Sequence, residues 1–112
     1  MAVKVAVYST HKPDIEKVLV LSTGHITEQD VRFLRATDPD SPDAPIVTLY
    51  EEGVIVCVPC SKRDLAADLK MWGKVYSMAF CKVMRLAFNL GCHDVKFDQD
   101  GMIYKDLKLF NW

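Results

Sequence analysis

Two cysteines separated by two residues form the most reactive pattern in this 112-residue sequence. In Cys57-Val58-Pro59-Cys60 the first thiol closes an apolar run and the second precedes a segment with helical periodicity. A helix N-terminus lowers the pKa of a nearby thiol, and the resulting thiolate can attack a disulfide. The spacing therefore indicates thiol-disulfide chemistry as one chemical use of this segment.

The same pattern resembles the redox motif of thioredoxins, with two departures. In that family the first cysteine is exposed at the start of the helix, whereas Cys57 falls inside a predicted strand. The family also needs a later proline opposite the motif, and no proline follows Pro59. We therefore predict two incidental thiols and keep a small oxidoreductase that uses Cys57 and Cys60 as the alternative.

Metal binding is a further hypothesis for these cysteines. Cys57, Cys60, Cys92 and His93 offer the thiolate and imidazole ligands that suit tetrahedral zinc. However, adjacent side chains such as Cys92 and His93 rarely point at one ion. The segment 98–101 (DQDG) resembles the start of a calcium loop but lacks its later acidic ligands, so it predicts a hairpin turn. We predict no metal and no cofactor.

His25 could act as a base for Ser22 or Thr23, with Asp30 as the orienting acid. No strained nucleophile turn of the G-x-S-x-G type supports this arrangement. Gly24 is a lone glycine and does not make a phosphate-binding loop. A strand end that leads into a capped helix explains all of these residues, and we predict no catalytic residue.

Acidic residues are concentrated in the middle of the chain. Residues 26–53 carry a net charge of −5, although the whole chain carries only −1. Three prolines and three aspartates in the segment 38–45 predict an extended, solvated loop. Such a region is usually only a solvated surface, but it could also dock on a basic partner and speed association. The candidate contact residues are Asp38, Asp40, Asp43, Glu51 and Glu52.

Composition places the chain among globular proteins of the cytoplasm. Half of the residues are hydrophobic and 26% are charged. The longest apolar runs fall far short of the roughly 20 residues that span a bilayer, and no signal peptide is evident. Four cysteines in a chain with an adequate core fit a reducing compartment. No basic cluster exceeds Lys62-Arg63, so we expect neither direct nucleic-acid binding nor membrane binding.

Hydrophobic periodicity predicts one α+β domain over residues 1–112. Its mostly antiparallel sheet has about five to six strands, with two or three helices packed on one face. The helix from about Met78 to Leu90 is the predicted core helix, because its polar residues form one narrow stripe. Phe80, Val83, Met84 and Ala87 should be buried, and Lys82, Arg85 and Asn89 exposed. The predicted strands are Val3–Val7, Val18–Leu21, Ile46–Tyr50, Val54–Val58, Val95–Asp98 and Met102–Tyr104.

Several segments together resemble one family of small domains of unknown function from bacteria, phages, plasmids and integrated elements. They are residues 20–27 (VLSTGHIT), the hairpin with Tyr50 and Gly53, the helix that begins at Ser77, the segment 97–101 (FDQDG) and a final Trp112. The resemblance covers about Val18 to Trp112 and brings no established active site.

The resemblance implies an accessory protein of a mobile genetic element, a class in which small proteins often bind and block a host factor. We therefore predict a non-enzymatic protein-binding function. The expected partner is a host or defence protein with a basic surface, and inhibition of an anti-CRISPR-like kind is one form that this function could take.

Overall fold

The computed structural model describes residues 15–112, which form four strands and three α-helices. The predicted strand Val3–Val7 lies outside the described residues. Within residues 15–112 no helix has the length and apolar character needed to cross a membrane. In chain order the elements are β1 (Val18–Ser22), a 3-10 turn (Thr23–His25), α1 (Glu28–Arg35), β2 (Val47–Tyr50), β3 (Gly53–Cys57), α2 (Lys62–Trp72), α3 (Met78–Asn89) and β4 (Asp94–Asp98).

The four strands form one mixed sheet in the order β1-β4-β3-β2. β2, β3 and β4 pair antiparallel, whereas β1 pairs parallel with β4, with Val18 opposite Asp94. The α+β class is confirmed, but residues 15–112 hold four strands rather than five to six, and the sheet is mixed. A parallel pair needs a long crossover connection. Here that connection contains the β2–β3 hairpin and all three helices, so no local pattern predicts it.

One face of the sheet forms the floor of the core. Positions 21, 54, 56, 95 and 97 are completely buried, as the period-two alternation of strands requires. Leu21 lies opposite Phe97, which lies opposite Val54 on its other side. Phe97 also stacks on Phe80 of α3, with ring centroids 6.2 Å apart. The core therefore lies between this face and α3.

The predicted core helix is confirmed. Its buried residues are Phe80, Val83, Met84 and Ala87, and its polar stripe of Lys82, Arg85 and Asn89 is exposed. Ser77 is the N-cap and accepts a hydrogen bond from the backbone N–H of Phe80 at 3.2 Å. Gly91 has a φ of 77°, the left-handed conformation that ends many helices at glycine.

A buried carboxylate joins the starts of α1 and α3. Thr27 and Asp30 form a capping box, with two reciprocal hydrogen bonds of 3.0 Å. Asp30 also accepts from the backbone N–H of Ser77 at 2.8 Å and from the Ser77 hydroxyl. Because Ser77 is itself the N-cap of α3, Asp30 fixes the relative position of the two helices.

Residues 99–112, called the C-terminal segment below, contain no strand, so the predicted strand Met102–Tyr104 is wrong. The predicted turn before it is present, since the Gly101 N–H donates to the Asp98 carbonyl at 2.9 Å. β4 already pairs with β1 on one edge and β3 on the other, which leaves no edge for a returning strand. The segment instead crosses beside β1, where the Met102 carbonyl accepts from the Ser22 N–H at 2.8 Å.

Candidate functional site

The predicted acidic loop connects α1 to β2 and carries Asp38, Asp40 and Asp43, all exposed. The Asp38 carboxylate accepts from the backbone N–H of Asp40 at 2.9 Å, and the Asp38 carbonyl accepts from the N–H of Ser41 at 3.1 Å. These local bonds are the turns that aspartate favours. They hold the loop in one path and leave the Asp40 and Asp43 side chains exposed.

Two shallow clefts flank this loop and share Ser41, Ala44 and Pro45 in their walls. On one side the loop faces Ile46 and Leu49, which are 73% and 49% exposed. On the other side it faces Met71 and Val75 at the end of α2, which are 37% and 56% exposed. Exposed apolar side chains therefore lie on both sides of an acidic ridge. We call these seven residues the loop face: Asp38, Asp40, Asp43, Ile46, Leu49, Met71 and Val75.

Glu51 and Glu52 lie in the β2–β3 turn, at the opposite end of β2 from Ile46. Arg35 anchors this turn to α1, because its Nη1 donates to the carbonyls of Tyr50 and Gly53, each at 3.2 Å. A cleft of about 570 Å³ extends from this turn to the C-terminal segment. The five predicted acids are therefore all exposed, but the structure divides them into a loop group of three and a turn group of two.

None of these five acids is paired within the described part of the chain. The one salt bridge there joins Arg32 to Glu28 on α1, with 3.0 Å between Nη2 and Oε1. Lone exposed carboxylates interact weakly with their surroundings at physiological salt, yet several of one sign create a field that a basic surface can follow. The five carboxylates are therefore exposed and have no ion-pair partner among residues 15–112.

Asp98 adds a further carboxylate beside the turn group. Tyr50 donates from Oη to Asp98 Oδ2 at 2.6 Å, and the Lys96 ammonium lies 5.2 Å from the centre of the Tyr50 ring. The hydrogen bond from Tyr50, followed by that from the Asp100 backbone N–H, lowers the pKa of Asp98. Burial and then the same bond to Asp98 raise the pKa of Tyr50. This pair was not predicted, since its members are far apart in the sequence.

The Cys57–Cys60 pair is placed as the strand assignment implied. Cys57 is the last residue of β3 and half-buried, Cys60 is exposed just before the N-cap Ser61, and both are free thiols. Burial, and then the nearby Asp94, raise the pKa of the Cys57 thiol. A raised pKa reduces the thiolate population that redox exchange needs. The helix N-terminus faces Cys60 rather than Cys57, the reverse of the order in a redox motif of this type.

The other candidate residues are not assembled into sites. Within residues 15–112, no three His, Cys, Asp or Glu side chains come together in a way that could hold a metal ion, so Cys92 and His93 do not join Cys57 and Cys60. His25 is buried, and its two ring nitrogens are taken by the Lys108 carbonyl and the Tyr104 N–H, each at 2.8 Å. The imidazole therefore cannot activate Ser22, whose Oγ accepts from the Gly24 N–H.

A family model described as "Family of unknown function (DUF5983) C-terminal domain" matches residues 18–112. The chain belongs to this family. The matched range includes every strand and helix of the sheet-and-helix fold, together with the C-terminal segment. No curated protein and no solved structure matches the chain. Because the DUF5983 family is described as one of unknown function, a function for this domain has to be argued from its own surfaces.

The sequence pattern predicts the exposed acids of the loop face but not its exposed apolar side chains. Leu49 lies in β2 and Met71 in α2, whereas Ile46 and Val75 lie in connections, and each of the four has the apolar character of a core residue. Val75 offers one signal in the sequence, since it lies outside the periodic pattern of the helix that begins at Met78. The other three could be found only from the packed structure.

Proposed function

We propose that this domain is a non-enzymatic protein-binding module whose loop face docks on a basic surface of another protein. The observation that carries the proposal is the combination, on one loop and its two borders, of three exposed acids with four exposed apolar side chains. Protein interfaces combine apolar contacts at the centre with a polar rim, and contiguous exposed apolar patches often mark such sites.

The two components have different roles in binding. The apolar side chains would lose solvent contact on docking, which provides affinity at roughly 25 cal/mol for each Å² buried. The carboxylates of Asp38, Asp40 and Asp43 would mainly attract and orient the partner, because exposed charges act on association rate more than on affinity. Glu51 and Glu52 lie at the other end of β2 and would extend the negative field rather than the apolar contact.

In its wider form, the proposal is that the domain is an accessory protein of a mobile genetic element such as a phage. It would act in the cytoplasm as an inhibitor of a host or defence factor, in an anti-CRISPR-like manner. Support for this part comes from the resemblance stated above, and support for the basic partner comes from the charge of the loop face.

The test compares two variants with equal charge change. The first neutralises the five predicted acids, as Asp38→Asn, Asp40→Asn, Asp43→Asn, Glu51→Gln and Glu52→Gln. The control neutralises five other acids, as Glu16→Gln, Glu28→Gln, Asp64→Asn, Asp68→Asn and Asp106→Asn.

Tagged wild-type and variant domains are used to capture proteins from a bacterial host lysate, and association rates of the captured partner are then measured at low and high salt. We expect the variant without the five predicted acids to associate more slowly at low salt, with a smaller difference at high salt, and the control to match wild type. Unchanged rates, or equal slowing by both variants, would reject the proposal. If the partner has an activity of its own, its loss on addition of the domain would identify inhibition.

A further inference from the structure

A second surface of opposite charge lies between α3 and the C-terminal segment. A cleft of about 850 Å³, here called the α3 cleft, opens between the end of α2, the first two turns of α3 and residues 107–110. It is larger than the 570 Å³ cleft beside Arg35. Its size lies within the range of about 300–1,000 Å³ that is usual for small-ligand sites.

The walls of the α3 cleft are mostly apolar. Leu69, Tyr76, Leu107 and Phe110 are half-buried and present part of their apolar surface to the cleft, and the buried Val83 lies behind them. Tyr76 is held rigidly, since its ring lies 4.6 Å from the Phe80 ring in the core. A flexible Met78, 89% exposed, stands at the mouth. An apolar ligand chain would therefore contact rigid side chains along the walls of the cleft and a flexible methionine at its mouth.

Three cations border this apolar space. Lys82 and Arg85 lie on one side of α3 and Lys108 lies on the C-terminal segment, where its ammonium sits 4.9 Å from the centre of the Phe110 ring. No residue of the cleft wall is acidic, and none of the three cations forms a salt bridge within residues 15–112. Asp30 lies behind Ser77, where its carboxylate is already satisfied by hydrogen bonds. The rim is therefore positive.

We propose that the α3 cleft binds a small anionic amphiphile, a long-chain carboxylate. Its hydrocarbon chain would lie against Leu69, Tyr76 and Leu107, and its carboxylate would bind Lys82, Arg85 and Lys108. A purely apolar ligand would leave the three cations without an anionic partner, and a small polar anion would leave the apolar walls of the cleft exposed to water. Only a ligand with both parts matches the two halves of the cleft. This inference is independent of the loop face, which has the opposite charge.

Titration calorimetry with dodecanoate, below the concentration at which it forms micelles, tests the proposal. We expect saturable binding of one equivalent, weaker binding of hexanoate, and a gain of at least about 2-fold for each added methylene. Lys82→Gln, Arg85→Gln and Lys108→Gln together should weaken binding roughly 10-fold, since each exposed charge contact contributes a factor of a few. The matched control, Lys62→Gln, Arg63→Gln and Lys105→Gln, removes three exposed cations outside the cleft and should bind as wild type.

Three results would overturn the proposal. Dodecanol binding as tightly as dodecanoate would mean that the cations have no role and that the cleft is only an apolar surface. Equal weakening by the two triple variants would mean that net charge, rather than this site, governs binding. Absence of saturable dodecanoate binding would exclude a small amphiphile and leave the cleft to an acidic protein segment. Thermal unfolding of each variant verifies that the fold is retained.

Discussion

At the scale of single residues, Asp30 is the side chain on which the local geometry depends most. Its carboxylate accepts three hydrogen bonds, from the backbone of Thr27 and from the backbone and hydroxyl of Ser77, while only 2% exposed. A buried carboxylate is stable only when its oxygens are satisfied in this way. Ser22, His25 and Asp30 looked like a possible catalytic group in the sequence, but the structure uses His25 and Asp30 as buried connectors.

Asp30→Asn should reduce the free energy of unfolding by about 2–4 kcal/mol. Asparagine has one carbonyl oxygen, so its amide N–H₂ would face a backbone N–H donor of Thr27 or Ser77. Asp64→Asn is the matched control, because Asp64 occupies the same position after the N-cap of α2 but is exposed. We expect the control to change stability by less than about 0.5 kcal/mol in urea unfolding. Similar losses for the two variants would contradict the connecting role of Asp30.

Tyr50 and Asp98 provide a pH-dependent interaction. Because the folded pKa of Asp98 is lowered from its ordinary 3.8, first by the Tyr50 hydrogen bond, its stabilising contribution is present above pH 3.8. The contribution is lost as pH falls through the lowered folded pKa. Tyr50→Phe should move the Asp98 pKa upward in a carboxyl NMR titration. Tyr104→Phe should leave it unchanged, because that hydroxyl bonds the Val20 carbonyl instead. An unchanged Asp98 pKa in the first variant would disprove the assignment.

At the scale of elements, α3 was predictable and the sheet only partly so. The pattern that predicts α3 depends only on residues that are close together in the sequence. It consists of the polar stripe of Lys82, Arg85 and Asn89, with Ser77 before the helix and Gly91 after it. The β2–β3 hairpin is local for the same reason. The parallel β1–β4 pair cannot be predicted in this way, because the choice of β4 as the partner of β1 depends on packing between residues that are far apart in the sequence.

The apolar half of the loop face illustrates the same limit for the candidate site. A sequence pattern gives the exposure of charged residues such as Asp40 almost directly, since they are rarely buried unpaired. It does not give the exposure of Ile46 or Val75, which depends on whether another element covers them. Ile46 directly precedes β2, an edge strand, and Val75 lies in the connection after α2, so both side chains remain largely exposed.

Phe80→Ala should lower the free energy of unfolding by about 3–5 kcal/mol, because it leaves a cavity between α3 and the sheet. The Phe80 side chain is completely buried and contacts the rings of Trp72, Tyr76 and Phe97. Met78→Ala on the same helix is the control, since Met78 is 89% exposed. We expect it to cost less than about 0.5 kcal/mol. A loss below about 1 kcal/mol for Phe80→Ala would show that α3 is not the central core helix.

At the scale of the whole molecule, the C-terminal segment is attached by a few specific bonds rather than by a strand ladder. Besides His25, the Phe110 N–H donates to the Gly24 carbonyl at 2.7 Å, and the Trp112 indole N–H donates to the Ile26 carbonyl at 3.0 Å. The hydrogen bonds that residues 102–112 make to the rest of the domain end on residues 20–26. The end of β1 and the 3-10 turn after it therefore hold this part of the segment, and through Lys108 they also hold one wall of the α3 cleft.

His25→Ala should release this segment while the rest of the domain stays folded. The variant removes the donor to Lys108 and the acceptor for Tyr104, so amide exchange at Tyr104 should become faster. Trypsin should then cleave more quickly after Lys105 and Lys108, which are exposed. His93→Ala is the control, since His93 is exposed and far from the segment's attachment. Equal cleavage of the two variants would mean that His25 does not hold the segment.

The parallel pairing of β1 with β4 also determines when the domain can form during synthesis. Val18–Ser22 leaves the ribosome early, but its only strand partner within residues 15–112, Asp94–Asp98, is translated last among the strands. The residues that bond to His25 come later still. Until then an apolar strand remains unpaired in the nascent chain, a state prone to aggregation. Folding of this domain therefore has to wait until β4 has been synthesised, and proteins that shelter nascent chains should have a measurable effect on its yield.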